Sequence, residues 1–163
     1  MQVKLIFFCL LNALLSVSIA QTSFNRVSFY AIIIENDLKE VNDELLSLDK
    51  TQGKQAYKGA LLMKKSGLLP EAKDKLSFFK EGRKELEQAI SRDSTNVEYR
   101  FLRILIQENA PKIVNYNREI KKDASYLRKN YKNLPDIVQK ALLNYSKTSK
   151  ELKPEDFKNG AHG

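Results

Sequence analysis

Residues 95–111 read Thr95-Asn96-Val97-Glu98-Tyr99-Arg100-Phe101-Leu102-Arg103-Ile104-Leu105-Ile106-Gln107-Glu108-Asn109-Ala110-Pro111. Wound as a helix, Val97, Tyr99, Phe101, Leu102, Ile104, Leu105 and Ile106 cover most of its circumference. Only Arg100, Arg103 and Gln107 line a narrow polar stripe. A helix that is apolar on nearly every side must be covered by neighbours on two sides, so it belongs in the middle of a helical fold. Thr95 and Glu98 stand at capping-box spacing, with Thr95 expected to accept from a first-turn N–H and Glu98 to reach back. Pro111 ends the helix, because the residue before a proline is pushed out of the helical region. The remaining chain has to supply the helices that cover this one.

Upstream, Phe24, Val27, Ala31, Ile34, Leu38, Val41, Leu45 and Leu48 are spaced alternately by three and four. That is an apolar seam on one helical face, expected to face the core. The unbroken heptads also fit one long helix, but Glu35-Asn36-Asp37 in the middle favours a tight turn between two short ones. Residues 54–68 form a third helix, with Ala56, Gly59, Ala60, Met63 and Gly67 making a small-residue face that a neighbour can approach closely. Pro70 stands where a fourth helix can begin. Ala72, Leu76, Phe79, Leu86, Ala89 and Ile90 then trace its buried side to about residue 92.

Downstream, Ile113, Tyr116, Ile120, Ala124, Leu127, Tyr131 and Leu134 predict one helix, and Pro135 opens another that buries Ile137, Val138, Ala141, Leu142 and Tyr145. Period-2 alternation is absent, so no strand is expected. The chain reads as all-α: about seven helices stacked as antiparallel pairs, in a short α-solenoid or a compact bundle.

The ends read differently. Met1-Gln2-Val3-Lys4, the apolar run Leu5 to Val17, and Ser18-Ile19-Ala20 match a signal peptide cleaved after Ala20. The run is shorter than the roughly 20 residues that span a bilayer core, and polar Asn12 interrupts it. The expected organisation is a signal at 1–20, a single helical domain at 21–150 and a flexible polar tail at 151–163. The expected location is periplasmic or secreted.

The chain has 163 residues, with one histidine (His162) and one cysteine (Cys9). Neither a zinc site, a Cys–His pair, a Ser–His–Asp triad nor a disulfide can be assembled from that stock. Phosphate loops, nucleophile elbows and calcium loops are missing as well. Catalytic, cofactor-binding and metal-ligating residues are therefore none, and a non-catalytic binding role is expected. The acidic cluster Glu35, Asp37, Glu40, Asp43 and Glu44 reads as a solvated face. Glu108-Asn109-Ala110-Pro111 reads as a helix stop.

Charge is distributed unevenly. Residues 21–111 hold 15 basic and 14 acidic side chains, whereas residues 112–153 hold 11 and 4, a net +7. Arg118, Lys121, Lys122, Arg128, Lys129 and Lys132, with Tyr126 among them, recur at helical spacing opposite Ile120 and Leu127. Such a stripe attracts an anionic partner. The export signal argues against nucleic acid and leaves anionic lipid, acidic glycan or an acidic protein, the plain alternative being an ordinary solvated basic surface. The composition does not fix an oligomeric state.

Residues 82–94, Gly-Arg-Lys-Glu-Leu-Glu-Gln-Ala-Ile-Ser-Arg-Asp-Ser, resemble the second helix of a tetratricopeptide repeat. Gly82 takes the small position, Leu86 the large apolar one and Ala89 the second small one. Thr95-Asn96-Val97-Glu98-Tyr99 resembles entry into the next repeat. The likeness covers about one and a half units of the 34-residue repeat. Ser94 stands where the repeat usually has proline, the Pro70–Lys75 connection is longer than the repeat's turn, and no Trp starts any helix. The turn at Glu35-Asn36-Asp37 looks as much like that of an ankyrin repeat. The whole resembles small exported bacterial helical-repeat proteins. What the resemblance implies is protein or peptide binding in a groove, for which Arg100, Arg103 and Gln107 are the candidate lining; it transfers no catalytic residue. The alternative is a basic adaptor acting through residues 112–153.

Overall fold

The computed structural model describes residues 24–158 apart from Lys50 and Gln52. The expected signal segment with Cys9, the expected mature terminus at Gln21 and the residues around His162 lie outside the described residues. Among the described residues there are eight α-helices and no strand. They are α1 (Arg26–Ile34), α2 (Leu38–Asp49), α3 (Gln55–Leu68), α4 (Ala72–Arg92), α5 (Val97–Asn109), α6 (Ile120–Asn130), α7 (Asp136–Tyr145) and α8 (Glu155–Lys158). Short 3-10 turns at Lys112–Val114 and Tyr131–Asn133 flank α6.

The helix covered on two sides is α5. Every side chain from Phe101 to Gln107 is buried, and α5 touches α3, α4, α6 and α7. Its cap differs from the sequence expectation. Asn96 is the N-cap and accepts from the Tyr99 N–H at 3.2 Å, while the Thr95 hydroxyl donates to Asp93. Glu98 turns inward instead of reaching back. In the first turn of α5 its carboxylate meets Arg26 and Tyr30 of α1, a stronger attraction than the N-cap N–H.

α3 and α4 form the tightest pair. They run antiparallel, with the Gln55 amide donating to Gln88 near one end and Gly59 against Gly82 at the crossing. A Cβ on Gly59 would sit 2.6 Å from the Leu86 nitrogen, and one on Gly82 would sit 2.8 Å from the Met63 nitrogen. Both glycines are there because two backbones touch. The expected turn between α1 and α2 is present: Asp37 accepts from the N–H groups of Lys39 (2.8 Å) and Glu40 (3.1 Å), which starts α2.

Four expectations need correction. Val27 and Ile34 are 61% and 53% exposed, and α1 buries Phe29, Tyr30 and Ile33 instead. The larger aromatic side chains win the core, so the seam read from the sequence runs inward only from α2. Leu76, in the first turns of α4, is half exposed. No helix runs from Ile113 to Leu134: Asn115 takes the left-handed conformation (φ 47°) after the 3-10 turn, and Ile113 is 92% exposed. The tail folds down at its beginning. Leu152 and Phe157 are buried, the Phe157 ring lies 4.9 Å from that of Tyr131, and Asp156 accepts from Arg128 at 2.9 Å. Two apolar anchors six positions or fewer apart suffice to hold a segment that looks polar on average.

Candidate functional site

Two networks decide which polar side chains are free. In the first, Asp123 of α6 is fully buried and accepts from Arg103 Nε at 2.6 Å, Arg103 Nη2 at 2.8 Å and Arg100 Nη1 at 2.9 Å. Arg103 also donates to Glu87 (2.8 Å), whose other oxygen accepts from the Tyr116 hydroxyl. Burial opposes the Arg103 charge, but the hydrogen bonds to Asp123 and the Glu87 charge outweigh it and raise its pKa. In the second, Glu98 accepts from Arg26 Nε at 3.1 Å and from the Tyr30 hydroxyl at 3.0 Å, and Arg26 also donates to Tyr57.

Arg100 and Arg103 therefore do not line an open groove. They join α5 to α4 and α6 as a buried charged seam, and Arg100 also stacks on the Tyr126 ring at 4.4 Å. Gln107 is buried too, and its Oε1 has no hydrogen-bond partner among the described residues. The sequence showed the stripe's polarity but not its partners, since Asp123 and Glu87 are distant in the chain.

An open groove does exist elsewhere. It lies between α1 and α7, over a floor from α3 and α5, with a volume of about 890 Å³. α1 contributes Val27, Ala31 and Ile34; α7 contributes Ile137 and Ala141; Met63, Leu105 and Ile106 lie below. Lys64, Lys140 and Lys147 stand along it, and no carboxylate is among its lining side chains. Lys64 donates to Asn36 at 3.0 Å, and burial lowers its pKa. Sequence reading placed Val27, Ala31 and Ile34 in the core, and likewise Ile137 and Ala141, which are only half-buried because the outer side of α7 faces the groove. The signal that could have found the groove is the run Tyr30-Ala31-Ile32-Ile33-Ile34, which makes α1 apolar on more faces than a single core contact can use.

The basic stripe divides in two. Arg118, Lys121, Lys122, Lys129 and Lys132 are exposed, with Lys122 near Glu119 at 3.5 Å. Arg128 is tied down, donating to Asp156 and to the Glu151 carbonyl, and Tyr126 lies under Arg100 with its hydroxyl donating to the Thr95 carbonyl. Arg118 and Lys121 also border a shallow cleft of about 490 Å³ with Lys112, Lys150 and Gln107. Glu108 closes its inner wall. It accepts from the N–H groups of Lys150 and Glu151 and from the hydroxyls of Tyr145 and Ser149, so the residue read as part of a helix stop is the anchor of the C-terminal segment.

Among the described residues no cluster of His, Cys, Asp and Glu has the makings of a metal site, and no helix is long and apolar enough to cross a membrane. No family model, curated protein or solved structure matches this chain.

Proposed function

We propose that this chain is an exported, non-catalytic helical module that binds a protein or peptide partner. The observation that carries the reading is the apolar groove between α1 and α7, where Val27 and Ile34 remain largely exposed beside Leu105 and Ile137. A concave apolar surface with a few polar groups along it is the usual form of a binding site. The backbone contact at Gly59 and Gly82 supports the tetratricopeptide-like reading, since that repeat also packs paired helices through small residues. Export is supported by the signal-like sequence of residues 1–20.

The test is a comparative pull-down. The protein and its Ile34→Asp variant are immobilised and challenged with envelope extract from the producing cell. Ile34 is exposed, so the variant keeps its fold. A partner retained by the first and absent from the second supports the reading; identical retention by both defeats it. Intact-mass measurement on the cell-made protein checks export, with a mature start at Gln21 expected.

A second reading, a basic adaptor on an anionic envelope surface, is favoured by one observation. Arg118, Lys121, Lys112 and Lys150 gather around one cleft without ion-pair partners among the described residues. It requires retention on phosphatidylglycerol vesicles that falls as salt shortens the Debye length from about 10 Å at 0.1 M to about 3 Å at 1 M. Glu at Arg118, Lys121 and Lys129 should remove that retention. Glu at Lys73, Lys80 and Lys84 should not.

A further inference from the structure

We propose that the α1–α7 groove receives an amphipathic α-helix of another protein, its apolar face in the groove and carboxylates on its flank. This rests on the groove being the binding site, as proposed above, and adds the form and charge of what enters it.

The form follows from the groove walls. Val27, Ala31 and Ile34 are spaced by four and three along the outer side of α1, which is the spacing of a seam between helices. No helix among the described residues covers them. Ile137 and Ala141, one turn apart on α7, make the facing wall. A helix is about 10 Å across with its side chains and rises 5.4 Å per turn. Two turns occupy on the order of 850 Å³ at that diameter. The groove's volume of about 890 Å³ is of the same order, enough to seat the apolar face of about two turns.

The charge follows from the lysines. Lys64, Lys140 and Lys147 border the groove, no carboxylate does, and none of the three has an ion-pair partner among the described residues. Lys64 has only the neutral Asn36 oxygen against it. An apolar helix with carboxylates beside its apolar face would supply what these ammonium groups lack. The same argument disfavours two nearer occupants. Residues 1–23 are apolar but contain no Asp or Glu, and a second copy of a chain with net charge +8 would bring further positive charge to the site.

The experiment uses two fluorescein-labelled synthetic peptides with the same leucines on one helical face, flanked by Glu in one and by Lys in the other. Fluorescence anisotropy against the purified protein should show the Glu peptide binding at least about tenfold tighter at low salt, the margin shrinking as salt screens the rim. Gln at Lys64, Lys140 and Lys147 should remove the difference between the peptides, and Ile34→Asp should weaken both. If both peptides bind equally, the acidic flank is wrong while the groove reading survives. If neither binds, the groove reading itself falls. A peptide of residues 3–20 that displaces the Glu peptide, or a dimer in sedimentation that Ile34→Asp dissolves, would assign the groove to the chain's own leader or to a second copy and overturn the proposal.

Discussion

Asp123 is a single carboxylate holding two guanidinium groups away from water. Removing the shared carboxylate leaves Arg100 without an anionic partner and Arg103 with Glu87 alone, both still largely buried, which costs more than the pairing itself contributes. Asp123→Ala is therefore expected to destabilise the domain by about 3–5 kcal/mol, read from the urea midpoint at unchanged slope. The double variant Asp123→Leu with Arg103→Met should recover only part of that loss, because Arg100 still loses its carboxylate and Glu87 loses Arg103. Lys64 gives the opposite sign. Burial disfavours its charge and nothing anionic offsets it, so Lys64→Met should raise stability slightly. At this scale the sequence disclosed residue type and helical phase. Arg103 could be placed on a polar stripe, but nothing within four positions of it names Asp123 as its partner.

At the scale of elements, the α3–α4 crossing is set by two backbones in contact. Alanine normally favours a helix over glycine by about 1 kcal/mol. At Gly82 the added methyl group would meet the backbone of Gly59 and Met63, which cannot yield as a side chain can. Gly82→Ala should thus destabilise by about 1–3 kcal/mol, whereas Gly67→Ala, with open space at its Cβ, should be neutral or stabilising. Matched thermal melts decide between packing and propensity. The existence of a helix was legible in α3, α5 and α7, although Gly67 of α3 and Ile137 and Ala141 of α7 lie less deeply than their periodicity implied. The periodic reading failed where aromatic and aliphatic residues competed, as in α1, and where a left-handed residue intervened, as at Asn115. Periodicity reports how many faces are apolar; it does not say which of them the core takes.

For the whole molecule, titration of the buried phenols gives a global test. Tyr30, Tyr57 and Tyr116 have their pKa raised, first by burial and then by the nearby carboxylates Glu98 or Glu87. Their neutral forms are favoured in the folded state, so this stability is full below the ordinary tyrosine pKa of about 10 and is lost as pH rises above it. Each phenol lowers stability by about 1.4 kcal/mol for every pH unit above that value, until the folded protein also ionises. Alkaline unfolding should be cooperative, with the tyrosinate absorbance due to these three phenols, isolated by comparison with their Phe variants, rising at the same midpoint as the loss of helical circular dichroism. Separate midpoints would mean that these phenols reach solvent in the native fold.

α5 is held at both of its ends by segments far away in the chain: Glu98 takes Arg26, and Glu108 takes the backbone of Lys150 and Glu151. Ribosomes deliver a chain from its N-terminus, so the first grip can form early in synthesis and the second only when residue 151 has emerged. Before Ser149 emerges Glu108 has only the Tyr145 hydroxyl of these C-terminal partners, and Leu152 and Phe157 have not reached the core. The finished fold thus waits on residues 149–157, and a premature stop after Lys147 would release a chain that had begun folding without that fastening.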